Sequence, residues 1–240
     1  MLCPPLPDRS HWLLEYVNDD FYRKLNYYRS DIVRLLLSDT YNSENSSVGF
    51  SAHYLGRETQ IGNRDLTPRA MQCLFKELVL DSFYIIDYIR KNSLDKIYDL
   101  GCGSNAFKYF FDDIIGIDKR HPMADVQSNI DDKFFEDFKD KLPNAISINA
   151  LHNNITFQKF KKVVENFSQV ISTGGYGYIT FNIFFLVNST KKDDIPNDIP
   201  QFILNKLSET DLNIINVEFV DATIEGNNSL DGNIRILFRK

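Results

Sequence analysis

The chain has 240 residues, of which 43% are hydrophobic and 25% charged, and carries a net charge of −6. That is room for one large globular domain, or for one domain with an extension. It contains no apolar run of roughly 18 residues, the length a membrane span needs, and its acidic balance disfavours broad binding to a phosphate backbone, although a local basic groove stays open. The start, Met1 to Asp8, lacks the basic segment and long apolar stretch of a secretory signal. Cys3, Cys73 and Cys102 are odd in number and far apart, with no CxxC pair. They argue against a disulfide framework or a zinc site, and for a reducing compartment, expected to be the cytoplasm.

In chain order, residues 10–38 read as helical. Ser10 caps a run containing Trp12, Leu13, Leu14 and Tyr16, and Ile32, Val33, Leu35, Leu36 and Leu37 form a second apolar surface. Residues 39–66 are rich in Ser, Asn, Gly and Thr and read as a long loop, with a short strand around Val48 to Tyr54. Thr67-Pro68 then opens a helix, a hydroxyl cap followed by proline at the first helical position. Met71, Leu74, Phe75, Leu78, Ile85, Ile86 and Ile89 carry it to about Arg90, and Asn92-Ser93 ends it.

From there strands and helices alternate. Strand 97–100 leads to a short helix near Ala106–Phe111 and strand 114–118. An extended piece, Ala124–Ile130, precedes a helix at 132–141, strand 145–151 and a long helix at 157–172. Gly174-Gly175 starts strand Tyr176–Phe185, a polar loop spans 186–198, and a helix covers 199–209. Strands 213–220 and 233–239 close the chain through a turn-rich connection. The alternation predicts a parallel sheet covered by helices on both faces, with an antiparallel hairpin at its end. There is no internal repeat.

The most informative stretch is Lys96-Ile-Tyr-Asp-Leu-Gly-Cys-Gly-Ser-Asn105, answered by Ile114-Ile-Gly-Ile-Asp-Lys119. Gly101 and Gly103 let the backbone turn sharply and approach a ligand closely. Asp118 lies 19 residues after Asp99, the spacing at which a nucleotide-binding βαβ unit puts its ribose-holding acid.

These residues resemble the Rossmann-fold (class I) S-adenosylmethionine-dependent methyltransferases. The resemblance covers residues 96 to about 185 and rests on Asp99-Leu-Gly-Cys-Gly103, Gly116-Ile-Asp118, Ser147-Ile-Asn-Ala-Leu-His152 and Gly174-Gly175 before a strand; the terminal hairpin fits that family's sheet. It implies an α/β fold with a doubly wound, seven-stranded, mostly parallel sheet and an antiparallel C-terminal hairpin. The expected division is a helical extension and lid loop over 1–66 and the methyltransferase domain over 67–240. Residues 1–66 match nothing in the family, and Ser104-Asn105 stands where its third glycine would be.

The implied cofactor is S-adenosylmethionine. Asp99 then accepts hydrogen bonds around the methionine ammonium, Gly101 and Gly103 pass under the amino-acid and ribose parts, and Asp118 takes both ribose hydroxyls. Asn129 and Ile130 fall where the family contacts adenine, and Asn149 to His152 beside the transferable methyl. His152 is the candidate base; it reads equally as a cap on the next helix. The Asp/Asn-Pro-Pro-Tyr signature of base amino methylation is absent, and no cysteine follows the fourth or fifth strand to attack a pyrimidine, so nucleic-acid base methylation by those routes is disfavoured. Tyr54 and Arg69, with His53, Arg57 and Arg64 nearby, are candidate lid or substrate contacts; the alternative for each is a solvated polar loop.

A small-molecule acceptor is favoured. RNA is the alternative partner: Tyr22, Arg23, Lys24, Tyr27, Tyr28 and Arg29 mix aromatic and basic groups in a way that suits a single strand, although an amphipathic helix gives the same pattern. A second alternative keeps the fold as a non-catalytic scaffold, with the N-terminal aromatics as an interface, including one between two copies of the chain. The histidines lack the spacing of a metal site, and no metal is expected.

Overall fold

The computed structural model describes residues 81–103, 105–119, 121, 123–151, 155–220 and 232–240, together with Leu6, Asp20, Arg23 and Lys24. The expected helices of the extension, the lid loop, the Thr67-Pro68 helix start, His152, Tyr54 and Arg69 lie outside them.

Helix α1 (Asp81–Asn92) buries Phe83, Ile85, Ile86, Tyr88 and Ile89. It stops where Asn92 Nδ2 donates to the Tyr88 carbonyl at 2.8 Å and the Ser93 amide donates to that of Ile89 at 2.8 Å, so side chain and backbone close the last turn. Seven strands follow: β1 (Ile97–Leu100), β2 (Ile114–Asp118), β3 (Val126–Gln127), β4 (Asn144–Ile148), β5 (Tyr176–Asn182), β6 (Asn213–Val220) and β7 (Asn233–Arg239). The sheet order is β3-β2-β1-β4-β5-β7-β6. β2 runs parallel to β3, and β4 runs parallel to both β1 and β5; β7 is antiparallel to β5 and β6. This is the sheet the resemblance implies, closing hairpin included.

The described residues fall into two compact units. One contains α1 and Cys102–Ser128; the other contains Asp95–Gly101 and Asn129–Lys240. In the first, Phe83 packs against Phe107, Phe110 and Phe111 with ring centroids 4.6 to 5.7 Å apart. Arg90 lies over the Phe111 ring and donates from Nε to Asp113 Oδ2 at 2.7 Å, so its stem and its charge are both used. In the second, α3 (Phe160–Gln169) covers one sheet face through Phe160 on Phe181 and Phe167 on Phe238. Each fully buried ring of this kind contributes about 1.5–3 kcal/mol.

Several expected elements differ in extent. The helix expected near Ala106–Phe111 is a 3-10 turn over Ala106–Tyr109. The one expected at 132–141 is α2 (Asp132–Asp137), capped by Asp131, whose carboxylate accepts from the Phe134 amide at 3.1 Å. Strand 145–151 is shorter, and ends at Ile148 because Asn149 turns to φ +50°. The expected long helix at 157–172 opens as a 3-10 turn over Phe157–Lys159 and continues as α3 only to Gln169.

The largest correction falls after β5. Residues 183–185 were expected to continue the strand and 186–198 to form a loop, but α4 spans Ile183–Ser189. The β5–β7 ladder ends at Asn182 opposite Asn233, and the Ile183 amide donates to the Gly232 carbonyl at 2.8 Å where the helix begins. A 3-10 turn at Lys192–Asp194 follows, and then α5 (Ile199–Ser208), which Asp198 caps through the Gln201 amide at 2.9 Å.

Candidate functional site

Both acids of the sequence motif lie at the carboxyl ends of buried strands, where ligands bind in open α/β sheets. Asp99, next to last in β1, is 2% exposed and lies in register with Ile146 of β4. A carboxylate is placed there at a desolvation cost that only a polar or charged partner offsets.

Gly101 follows at φ +80°, and a Cβ on it would stand 2.2 Å from the Ala150 Cβ. Both the backbone angle and the close approach therefore require glycine. Ser147 Oγ donates to the Leu100 carbonyl at 2.9 Å, fastening the exit of β1 to β4. At the end of β4 the Asn149 amide donates to Thr180 Oγ1 at 2.9 Å, and the Thr180 hydroxyl donates back to Asn149 Oδ1 at 3.0 Å. Asn149 is thus held by Thr180 through both its backbone amide and its Oδ1. Asn129 Nδ2 donates to Asp131 Oδ2 at 2.6 Å, which leaves its Oδ1 as an acceptor. The Phe134 amide above all, helped by Asn129, holds the Asp131 carboxyl below its ordinary value. Asn129 is exposed and Ile130 half-buried.

In the unit that holds Cys102–Ser128, the glycine turn and Asp118 are joined directly. The Gly103 amide, at φ +51°, donates to Asp118 Oδ2 at 3.2 Å, and the His121 amide donates to Oδ1 at 3.1 Å. Cys102 extends the contact, its amide donating to the Ile117 carbonyl at 3.1 Å. His121 is fully buried and accepts from the Met123 amide at Nδ1, 3.3 Å away, so the neutral ring carries its proton on Nε2. Burial lowers its pKa, against the opposing pull of the Asp118 charge.

Asn105 resolves the missing third glycine. It adopts φ +54°, a left-handed conformation that asparagine tolerates better than most residues. Its side chain is 2% exposed, and Nδ2 donates to the Met123 carbonyl at 2.9 Å and to Asp125 Oδ2 at 3.0 Å. Asp125 also accepts from the Gly116 amide at 2.9 Å and pairs with Lys108. A Cβ on Gly116 would fall 2.4 Å from Asn105 Oδ1, so that glycine leaves room for the asparagine. Asn105, Asp125 and Thr180 are thus supporting residues absent from the sequence-based set; an asparagine at a glycine position was the available signal for the first.

Among the described residues no group of three His, Cys, Asp or Glu side chains could hold a metal ion, and no helix is long and apolar enough to cross a membrane. Two cations of the basic aromatic stripe are described. Arg23 and Lys24 both pair with Asp20 at helical spacing, Lys24 at 3.5 Å, and Arg23 chiefly draws the Asp20 carboxyl below its ordinary value.

No protein-family model matches the chain, and no curated protein does. Among solved structures it is similar to an S-adenosylmethionine-dependent methyltransferase from Archaeoglobus fulgidus, at 11% identity and TM-score 0.43, over 71% of this chain and 99% of that one. It is also similar to the CurJ carbon methyltransferase, at 13% identity and TM-score 0.46, over 96% and 69%. A third is the 1,6-didemethyltoxoflavin-N1-methyltransferase of Burkholderia thailandensis, solved with bound 1,6-didemethyltoxoflavin and S-adenosylhomocysteine, at 11% identity and TM-score 0.45, over 72% and 82%. Likenesses this distant bear on the fold alone.

Proposed function

We propose that this chain is an S-adenosylmethionine-dependent methyltransferase acting on a small-molecule acceptor in the cytoplasm, with residues 67–240 as the catalytic domain and 1–66 as extension and lid. The observation that carries this is the state of Asp118. Two backbone amides hold its carboxylate, one on each oxygen. These two bonds fix the carboxylate's orientation at the end of a strand, the arrangement that an acid receiving the paired hydroxyls of a ribose requires. The residues present fit the cofactor: an oriented acid at the end of a strand, and a turn built on glycines.

When bound, S-adenosylmethionine supplies an electrophilic methyl group on a sulfonium. The chain's own part is to bind and align, since in-line displacement needs orientation above all. In this proposal Asp99 accepts around the ammonium, Asp118 takes the ribose, Asn129 Oδ1 accepts from the adenine amine and Ile130 walls the ring. Gly101 and Gly103 keep the floor open, and Asn149, held by Thr180, borders the transfer point. His152 is proposed to take the acceptor's proton, and Tyr54 and Arg69 to contact substrate from the lid. The RNA alternative is weakened by Asp20, which answers both described cations of the stripe.

Calorimetry with S-adenosylhomocysteine on wild type and Asp118→Asn tests this. Asparagine keeps one acceptor oxygen for the loop amides but loses the second, and binding should weaken at least tenfold, or about 1.4 kcal/mol. Folded wild type that binds no S-adenosylhomocysteine would sink the proposal.

A further inference from the structure

We propose that Asn105 is a positioning residue that gives the donor site its discrimination for ribose hydroxyls, by holding together the two segments whose amides clasp Asp118; this rests on the methyltransferase reading above. The clasping amides come from different stretches of chain. Gly103, in the turn after β1, donates to Oδ2, and His121, between β2 and β3, donates to Oδ1. Two hydroxyls on neighbouring carbons are met together only if the carboxylate keeps one orientation. The placement of the two segments relative to each other therefore sets its fit.

The segment between β2 and β3 is closed on itself and on the strands by its backbone. The Ser128 amide donates to the Asp118 carbonyl at 3.0 Å, the Asp125 amide to that of Gly116 at 2.9 Å, and the Ala124 amide to that of His121 at 3.1 Å. None of these bonds reaches the glycine turn, and Asn105 supplies the link. Its own amide donates to the Cys102 carbonyl at 2.9 Å, which makes it part of the turn. Its Nδ2 donates across to the Met123 carbonyl at 2.9 Å and to Asp125 Oδ2 at 3.0 Å. One side chain thus grips the far segment on either side of Ala124, beginning two residues after His121.

Two features mark this asparagine as placed for position more than for stability. It is 2% exposed, and its Oδ1 is buried with no hydrogen-bond partner among the described residues, which costs free energy. It also stands at φ +54°, where glycine avoids the penalty of a Cβ. Glycine at this position would relieve both costs and lose only the two bonds from Nδ2. The β2 strand is matched to the asparagine: a Cβ on Gly116 would fall 2.4 to 2.7 Å from three atoms of the Asn105 carboxamide. Gly116→Ala therefore displaces that carboxamide from the opposite side, without touching the turn or Asp118.

The test measures binding of S-adenosylhomocysteine and of its 2′,3′-dideoxy analogue to the full chain by calorimetry. Wild type should bind S-adenosylhomocysteine at least about tenfold more tightly, since hydrogen bonds to a charged group are the strong ones. In Asn105→Gly that ratio should fall to about threefold or less, while affinity for the analogue stays within about twofold of wild type. Gly116→Ala should lower the ratio likewise, and Asn105→Gly/Gly116→Ala should lower it no further than Asn105→Gly does. Should Asn105→Gly fail to fold, as circular dichroism reports, Gly116→Ala decides. A residue that only stabilises the turn would weaken both ligands alike. A wild-type ratio retained in folded Asn105→Gly or Gly116→Ala therefore overturns this proposal and spares the donor site. Wild type that binds both ligands equally overturns the ribose role of Asp118, and this inference with it. Binding of neither overturns the underlying function.

Discussion

Gly101→Ala isolates the two demands made on the glycine turn. At φ +80° an L side chain costs about 1–2 kcal/mol. The new Cβ would also sit 2.2 Å from that of Ala150, which is fixed to backbone and cannot swing away. Relieving the overlap by a backbone shift costs about 1–3 kcal/mol more, for a total loss of about 2–5 kcal/mol. Ala150→Gly removes the opposing methyl, so Gly101→Ala/Ala150→Gly should recover the steric part, less about 0.5–1 kcal/mol for the added glycine. The φ penalty remains in both. Urea unfolding of the four members of the cycle, followed by circular dichroism, gives the coupling. A coupling energy of 1 kcal/mol or more is expected; effects that add to within about 0.5 kcal/mol would refute the contact.

Two further perturbations follow from buried polar groups. Asn144 is fully buried; its Oδ1 accepts from the Tyr176 amide at 3.0 Å and its Nδ2 donates to the Lys96 carbonyl at 3.3 Å. Asn144→Ala strands that amide and should cost about 1–3 kcal/mol in urea unfolding; a loss below about 0.5 kcal/mol would mean water replaces the carboxamide. Burial lowers the His121 pKa from its ordinary value of 6.5 in the folded chain, against the opposing charge of Asp118. On acidification the unfolded chain takes up the proton first, so stability should be fully present above about pH 6.5 and decline below it. His121→Gln should flatten the melting temperature between pH 6.5 and 5, and an unchanged slope would remove His121 as the cause.

How well the sequence foretold each element depended on where its physical cause lay. Ile97–Leu100 and Ile114–Asp118 are apolar runs closed by an acid or a glycine turn, and both strands have the expected bounds. The two closing strands do as well, since turn-rich chain separates them. The stretch Phe181-Asn-Ile-Phe-Phe-Leu-Val187 was different, because a short apolar run satisfies strand and helix alike. Here the described ladder with β7 runs to Asn182 opposite Asn233, Ile183 adds one bond to the Gly232 carbonyl, and the chain coils into a helix from Ile183. No local signal in residues 181–187 encodes where a strand 50 residues later begins.

The candidate site divides along the same line. Asp99, Gly101, Gly103 and Asp118 could be singled out from the sequence because the motif they form is a spacing along the chain. The residues that support them act across it: Asn105 reaches Asp125, and Thr180 reaches Asn149, at separations that a motif does not span. Asn105 also explains how the turn tolerates the loss of a glycine. A third glycine would supply the positive φ but no side chain, leaving Asp125 with the Gly116 amide and Lys108. Asparagine supplies the same φ and adds two hydrogen bonds from Nδ2, one to Asp125 and one to the Met123 carbonyl, tying the turn to the segment that follows β2. Because His121, just before Met123, donates its amide to Asp118, the substitution of asparagine for glycine helps fix the carboxylate on which the proposed donor site depends.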